Sequence, residues 1–174
     1  MTIGRLWERS ASRDPEGRAF LVQDGEGWRT VTWKEASERV DELAAGFLAL
    51  GIGKGDPVAI LSRTRIEWTL CDYALASIGA VVVPIYQTNS RDECAYLLSD
   101  SRARLLVCEN EEQLQKVEGL VRDLPDLERV VAIDDAQGDV MALSEVAAHG
   151  RDHHSLAEAR DAVSESDVLT YIYT

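Results

Sequence analysis

The chain is poor in the features that mark several classes of protein. Its three cysteines, Cys71, Cys94 and Cys108, are widely spaced and form no Cys-x-x-Cys pair. That pattern argues against a disulfide framework and a zinc site, and it predicts that each cysteine is a small core residue. No apolar run of about 18 residues and no secretion-type N-terminus occur, so we expect a soluble, cytoplasmic protein.

Basic residues are also scarce. The chain has 18 Lys and Arg against 31 Asp and Glu, which gives a formal net charge of −13. Such a surface repels a phosphate backbone or an anionic membrane, so we expect no nucleic-acid partner. With 174 residues, of which 45% are apolar and 28% charged, the composition is that of one ordinary globular domain.

Local patterns predict how the chain begins. A short helix over 2–13 precedes two strands, 19–22 and 28–32, that face each other across a turn and form a hairpin. Thr32 and Glu35 make a capping box, and apolar residues recur at helical spacing after it. We therefore predict an amphipathic helix over 33–50 that ends at Gly51.

The rest of the chain alternates between apolar runs and segments of helical period. The predicted strands are 58–61, 80–83, 104–108 and 130–133. The predicted helices are 65–78, one capped by Ser90 and Glu93, and one carrying Leu114, Val117, Leu120 and Val121. Residues 134–167 are less regular, with short helical segments at 144–148 and 155–163. The predicted fold class is α/β, with a mostly parallel sheet and helices on both faces.

The glycine-rich segment 51–56 invites interpretation as a phosphate loop. It lacks the Lys-Ser/Thr ending of a Walker loop, and it joins a helix to a strand, whereas phosphate loops join a strand to a helix. We expect a helix stop followed by a tight turn.

Other candidate sites have simpler explanations. His149, Asp152, His153 and His154 have metal-ligand side chains but no helical His-x-x-x-His spacing, so we expect a solvated loop. The acidic pairs 111–112 and 134–135 fit a helix start and a strand exit. The tryptophans Trp33 and Trp68 fit packing positions on or beside helices. We assign no catalytic residue.

The last residues, 168–174, have the apolar character of a strand buried on both faces, with no polar tail after them. We therefore expect the front part of a longer α/β protein, cut where a functional loop would follow. The edge of this strand should favour self-association.

Three blocks of sequence together resemble one enzyme superfamily. They are residues 32–60, beginning Thr-Trp-Lys-Glu-Ala, residues 67–86, ending Pro-Ile-Tyr, and residues 169–174, Leu-Thr-Tyr-Ile-Tyr-Thr. The superfamily is that of the adenylate-forming enzymes: acyl-CoA synthetases, luciferases and peptide-synthetase adenylation domains. Residues 84–90 and 96–101 are most similar to bacterial long-chain fatty acid–CoA ligases.

The resemblance implies that 1–174 is a single partial domain. It would be the N-terminal segment of a larger AMP-binding domain, with the remainder and the C-terminal lid domain absent. The implied reaction joins a fatty acid substrate to coenzyme A through an acyl-adenylate, using ATP and Mg²⁺. Thr174 matches a threonine that in relatives lies by the ATP phosphates and Mg²⁺, ahead of a Lys-containing phosphate loop.

The segment alone should therefore be inactive, and any peripheral membrane contact would belong to the parent protein. Two alternatives stay open. The chain could be a complete, non-catalytic α/β interaction module. The parent could also adenylate another carboxylic acid, or pass the acyl group to a carrier protein.

Overall fold

Five parallel strands in the order β4-β3-β5-β6-β7 form the centre of the protein, and an antiparallel hairpin, β1-β2, stands beside them. The computed structural model describes residues 1–134, 136, 138, 140–152 and 155–174. The strands are β1 (Arg18–Asp24), β2 (Gly27–Thr32), β3 (Pro57–Leu61), β4 (Val81–Ile85), β5 (Leu105–Cys108), β6 (Arg129–Ala132) and β7 (Met141–Ala142). The helices are α1 (Ile3–Arg13), α2 (Trp33–Ala49), α3 (Ile66–Ser77), α4 (Arg91–Ser101), α5 (Glu111–Val117), α6 (Leu120–Asp123), α7 (Leu143–His149) and α8 (Leu156–Asp161), with a 3-10 turn at Gly150–Asp152.

Both faces of the central strands are buried, as continuous apolar strands require. Along β3, Val58 and Ile60 pack into a cluster with helices α1, α2, α3 and α7. Ala59 and Leu61 point the other way, into a cluster with α4 and the α5–α6 segment. The predicted fold class is confirmed: an α/β layer with helices on both faces of a parallel sheet, preceded by a short helix and a hairpin.

Reciprocal caps fix the starts of two helices that cover the sheet. Thr32 opens α2, where the Thr32 N–H donates to Glu35 Oε2 at 2.8 Å and the Glu35 N–H donates to Thr32 Oγ1 at 3.2 Å. Ser90 and Glu93 make the same exchange at the start of α4. Both capping boxes were predicted and both are confirmed.

Several expected elements have different bounds. The single helix expected around Leu114 and Leu120 is wrong, because Gly119 adopts φ 79° and separates α5 from α6. Strand β4 continues through Pro84 to Ile85. The short strand β7 was not predicted. The helical segments expected near 144–148 and 155–163 are present as α7 and α8.

The three cysteines are all buried and free, as expected. Across the described residues, none of the helices combines the length and apolar character needed to span a bilayer.

Candidate functional site

Polar side chains follow three neighbouring strands at the edge where those strands end. Ser62 and Arg63 come after β3, Glu109 directly after β5, and Asp134 two residues after β6. In open parallel α/β sheets, ligands bind beyond the carboxyl ends of the strands. This edge is therefore the first place to look for function.

Glu109 is the most deeply buried charged side chain at this edge. It is 3% exposed, although it carries a carboxylate. Its Oε2 accepts a hydrogen bond from the backbone N–H of Arg63 at 2.9 Å, and its Oε1 lies 2.7 Å from Arg63 Nε. A buried carboxylate is stable only when its oxygens are paired in this way. Glu109 thus joins the end of β5 to the end of β3.

Arg65 connects the same edge to β6 and α3. Its Nη1 and Nη2 bond the two carboxylate oxygens of Asp134, the second at 3.1 Å, and its Nε donates to Glu67 Oε2 at 2.7 Å. The bond to Asp134, followed by that to Glu67, raises the pKa of Arg65 above its ordinary value. Arg39 of α2 lies 3.7 Å from Glu67. We call these six residues the strand-end cluster: Arg39, Arg63, Arg65, Glu67, Glu109 and Asp134.

The strand-end cluster is suited to holding strands in place. Its three arginines face its three carboxylates, so its formal charge is zero, and each arginine has an acidic partner within 4.0 Å. Bidentate pairs such as Arg65 with Asp134 also fix direction, because a planar fork meets a planar carboxylate. Within the described ranges, no group of three or more metal-ligand side chains was found. The cluster thus links the ends of β3, β5 and β6 through paired charges.

The expected final strand is present only in part. Thr170 forms an isolated parallel bridge with Val82, in which the Val82 N–H donates to Leu169 O and the Tyr171 N–H donates to Val82 O, both at 3.0 Å. The expectation that 168–172 are buried on both faces is wrong. Val168 is 52% exposed and Ile172 is 72% exposed.

Pro84 gives a physical reason for the short pairing. Val82 and Pro84 are two residues apart on β4, so their backbone N–H positions point to the same side. The next bond of the ladder would need an N–H from Pro84, and proline has none. The backbone pairing therefore stops at Tyr171, and the outer side of the segment stays open.

The segment that ends in Thr174 runs parallel to β4, in the direction of the carboxyl edge of the sheet. Its side chain is exposed, and it makes no hydrogen bond to any described residue. Tyr173 before it is anchored: its hydroxyl donates to Asp100 Oδ2 of α4 at 2.8 Å. Thr174 thus has an exposed side chain at the end of a segment that is directed toward the edge that ligands use in this architecture.

The glycine-rich segment lies at the opposite end of the sheet, before β3 begins. Gly51 and Gly55 both adopt φ 84°, and the Gly53 N–H donates to Asp56 Oδ2 at 2.8 Å. Arg104 further holds Asp56, with Nη1 2.7 Å from Oδ2. The prediction of a helix stop and tight turn is confirmed.

The histidine-containing segment is described only in part. His149 is the last residue of α7. His153 and His154 lie outside the described residues, as does Asp135 of the predicted strand exit.

Comparison with known proteins decides the family. A model of the family described as "AMP-binding enzyme" matches residues 7–174. The chain belongs to the AMP-binding enzyme family. The long-chain-fatty-acid–CoA ligase FadD15 of Mycobacterium bovis is 34% identical over 147 residues, which are 84% of this chain and 24% of that protein. The chain thus spans about a quarter of the length of this relative.

Two further matches are a solved structure with the same fold and a relative of similar length. The crystal structure of a long-chain-fatty-acid–CoA ligase (FadD1) from Archaeoglobus fulgidus superposes with a TM-score of 0.81 at 24% identity, over 98% of this chain and 34% of that one. The uncharacterized protein Rv1549 of Mycobacterium tuberculosis is 27% identical over 135 residues, which are 78% of this chain and 74% of that protein. The resemblance stated from the sequence is therefore confirmed, and the fold is that of adenylate-forming ligases.

The strand-end cluster shows what sequence reasoning missed. Arg65, Glu109 and their partners were not singled out, and Asp134 was explained only as a turn residue. A usable signal was present: polar residues stand within two positions of the ends of three buried strands. Parallel strands end at the same edge of a sheet, so the pattern predicts polar residues at one edge, although it does not give the strand order that makes them neighbours.

Proposed function

We propose that this chain is the N-terminal segment of the AMP-binding domain of a long-chain fatty acid–CoA ligase. Such an enzyme joins a fatty acid to coenzyme A through an acyl-adenylate, with release of AMP and pyrophosphate. The 34% identity to FadD15 over 84% of this chain carries the proposal. The remainder of the domain and a C-terminal lid domain would be encoded further along the same gene.

In this proposal Thr174 contacts the ATP phosphates and Mg²⁺. Two observations support the role: its side chain is exposed, and its segment runs parallel to β4 toward the carboxyl edge of the sheet. A hydroxyl is an oxygen donor, the type that Mg²⁺ prefers, but one donor does not hold the ion alone. Phosphate oxygens, water and residues after Thr174 would complete the site. When bound, Mg²⁺ would help neutralise the charge on the phosphates.

The strand-end cluster supports the proposal that this segment is a scaffold. The three arginines of the cluster are already paired with carboxylates, so the cluster offers little free positive charge to a triphosphate. Phosphoryl and adenylyl transfer need cations and backbone donors around the phosphates. These groups would come from the later sequence, and the 174-residue chain alone should be inactive.

The test compares this chain with the full product of its gene. The longer protein is expected to catalyse fatty-acid-dependent exchange of pyrophosphate into ATP and to form palmitoyl-CoA, while the 174-residue chain does neither. Exchange by the short chain would refute the assignment of the phosphate site. A longer product that adenylates only other acids, or transfers only to a carrier protein, would replace the fatty acid or the acceptor in the proposal.

A second candidate is a non-catalytic interaction module with the front half of the ligase fold. The match to Rv1549, of which 74% is covered, favours it because that relative is itself short. The reading frame separates the two candidates. A stop codon directly after codon 174 supports the module, and continuation into a Gly/Thr-rich, Lys-containing stretch supports the ligase.

A further inference from the structure

Helix α4 holds the residue that precedes Thr174. The Tyr173 hydroxyl donates to Asp100 Oδ2 at 2.8 Å, and the Tyr173 ring packs against the apolar cluster beneath α4. The ring of Tyr96, one turn earlier on α4, meets Tyr173 edge to face at a centroid distance of 6.4 Å and an interplanar angle of 80°. Side chains from one helix thus hold Tyr173 from two sides.

The sheet does not hold this part of the chain. Backbone hydrogen bonds to β4 end at Tyr171, because Pro84 offers no N–H for the next bond. Among the described residues, none forms a backbone hydrogen bond with 172–174. The side-chain contacts of Tyr173 with α4 are therefore the ones that set the direction of 172–174, and the bond to Asp100 is the hydrogen bond among them.

We propose that Asp100 is a positioning residue that fixes Thr174 toward the nucleotide by binding the hydroxyl of Tyr173. This inference rests on the proposed function, since it presumes that Thr174 meets a phosphate. The physical basis of the positioning role is that a displacement of a reacting group by about 1 Å can lower the catalytic rate about a hundredfold. Asp100 itself touches neither substrate nor cofactor.

The hydrogen bond between Tyr173 and Asp100 is expected to persist across the physiological pH range. Burial, followed by the bond to Asp100, raises the pKa of Tyr173 to about 12. The hydroxyl therefore remains a donor across the physiological range, and its partner is a carboxylate oxygen of Asp100.

The first test measures hydrogen exchange in the 174-residue chain. Tyr173→Phe and Asp100→Ala are each expected to speed exchange of the Tyr171 amide about five- to tenfold, the effect of losing one charge-assisted bond. Asp100→Asn keeps an acceptor oxygen and should give a smaller effect. Asp92→Ala removes another exposed carboxylate from α4 and should change nothing. Unchanged exchange at Tyr171 in both disruptive variants would overturn the proposal.

Exchange within β5 is the control for folding. Amides of β5 should exchange as in the parent chain in every variant, because Tyr173 and Asp100 lie outside that strand. If β5 is also deprotected in Asp100→Ala, the comparison moves to Asp100→Asn and Tyr173→Phe, which keep the shape of the side chains. In that pair of variants too, unchanged exchange at Tyr171 overturns the positioning role.

The second test uses the full product of the gene. Asp100→Ala and Tyr173→Phe should lower kcat for ATP–pyrophosphate exchange about tenfold and leave KM for the fatty acid unchanged, with Asp92→Ala as control. Normal kcat in an active enzyme would overturn the positioning role alone. If the unsubstituted product is inactive toward every carboxylic acid, or the frame stops at codon 174, the proposed function fails and the role of Asp100 fails with it.

Discussion

The strand-end cluster allows a quantitative prediction at Glu109, which joins β5 to β3. Glu109→Ala removes the acceptor of the Arg63 backbone N–H and leaves a small void. Loss of the acceptor costs roughly 1–2 kcal/mol, and the lost side-chain burial adds about 1 kcal/mol. Glu109→Gln keeps an acceptor oxygen and loses only the charge. We therefore expect the free energy of unfolding to fall by about 2–3 kcal/mol for Ala and about 1 kcal/mol for Gln.

The loss of stability in Glu109→Ala is limited, because the former partners of Glu109 can be satisfied in other ways. Removing one member of a buried ion pair can cost about 3–5 kcal/mol when the other charge is left buried and unpaired. Here the Arg63 side chain is 66% exposed and can turn to water, while Arg65 keeps Asp134 and Glu67. The loss should therefore stay below that range.

Urea unfolding at pH 7, followed by the fluorescence of the four tryptophans, measures both variants. For a chain of this size, 2–3 kcal/mol corresponds to a drop in Tm of about 4–12 °C. Glu38→Ala, which removes an exposed acid from α2, is the matched control and should be neutral. Equal losses for Ala and Gln, or losses below about 0.5 kcal/mol in both, would refute the account of Glu109 as a buried connector.

Three further predictions concern packing, pH and association. A Cβ at Gly46 would lie 2.0 Å from a backbone oxygen of α7, so Gly46→Ala should lower the free energy of unfolding by about 3 kcal/mol. Gly53→Ala is the control, because a Cβ at Gly53 would meet open space and should leave the free energy of unfolding unchanged. Burial raises the pKa of Asp72, so ionisation of this carboxyl lowers the stability of the folded state as pH rises above the pKa of the unfolded chain. Asp72→Asn should therefore raise the free energy of unfolding by about 0.5 kcal/mol at pH 7 and leave it unchanged at pH 3, as measured by urea unfolding at both pH values. The open side of 168–172 should make the chain self-associate with rising concentration in sedimentation velocity, and Ile172→Lys should suppress this; a monomer at all concentrations would contradict it.

Most of the fold could be predicted because its signals are local. Thr32 and Ser90 begin helices through bonds to residues three positions ahead, so the sequence of a single turn contains both partners. The buried strands are continuous apolar runs, which indicate a sheet covered on both faces. Gly51 ends α2 with a positive φ, as helix-stop glycines commonly do.

Apart from the break at Gly119 between α5 and α6, the errors arise where the deciding partner is distant in sequence. Residues 168–172 have the composition of a buried strand, but their pairing is limited by Pro84, more than 80 residues earlier. Glu109 has its partners at Arg63 and Arg65, at the end of another strand. Only the parallel order β3-β5-β6 brings these charges together, and the order of strands is not written in any local pattern.

Under the proposed function, the distribution of charge explains why nucleotide binding would need groups outside the strand-end cluster. The cluster is formally neutral, while the whole chain carries −13. A triphosphate approaching the cluster would therefore meet no excess of positive charge, and the field of the remaining acids would repel it. In that proposal the Thr174 hydroxyl would orient a phosphate without neutralising it. Mg²⁺ and basic side chains outside the cluster would supply the positive charge that adenylation needs.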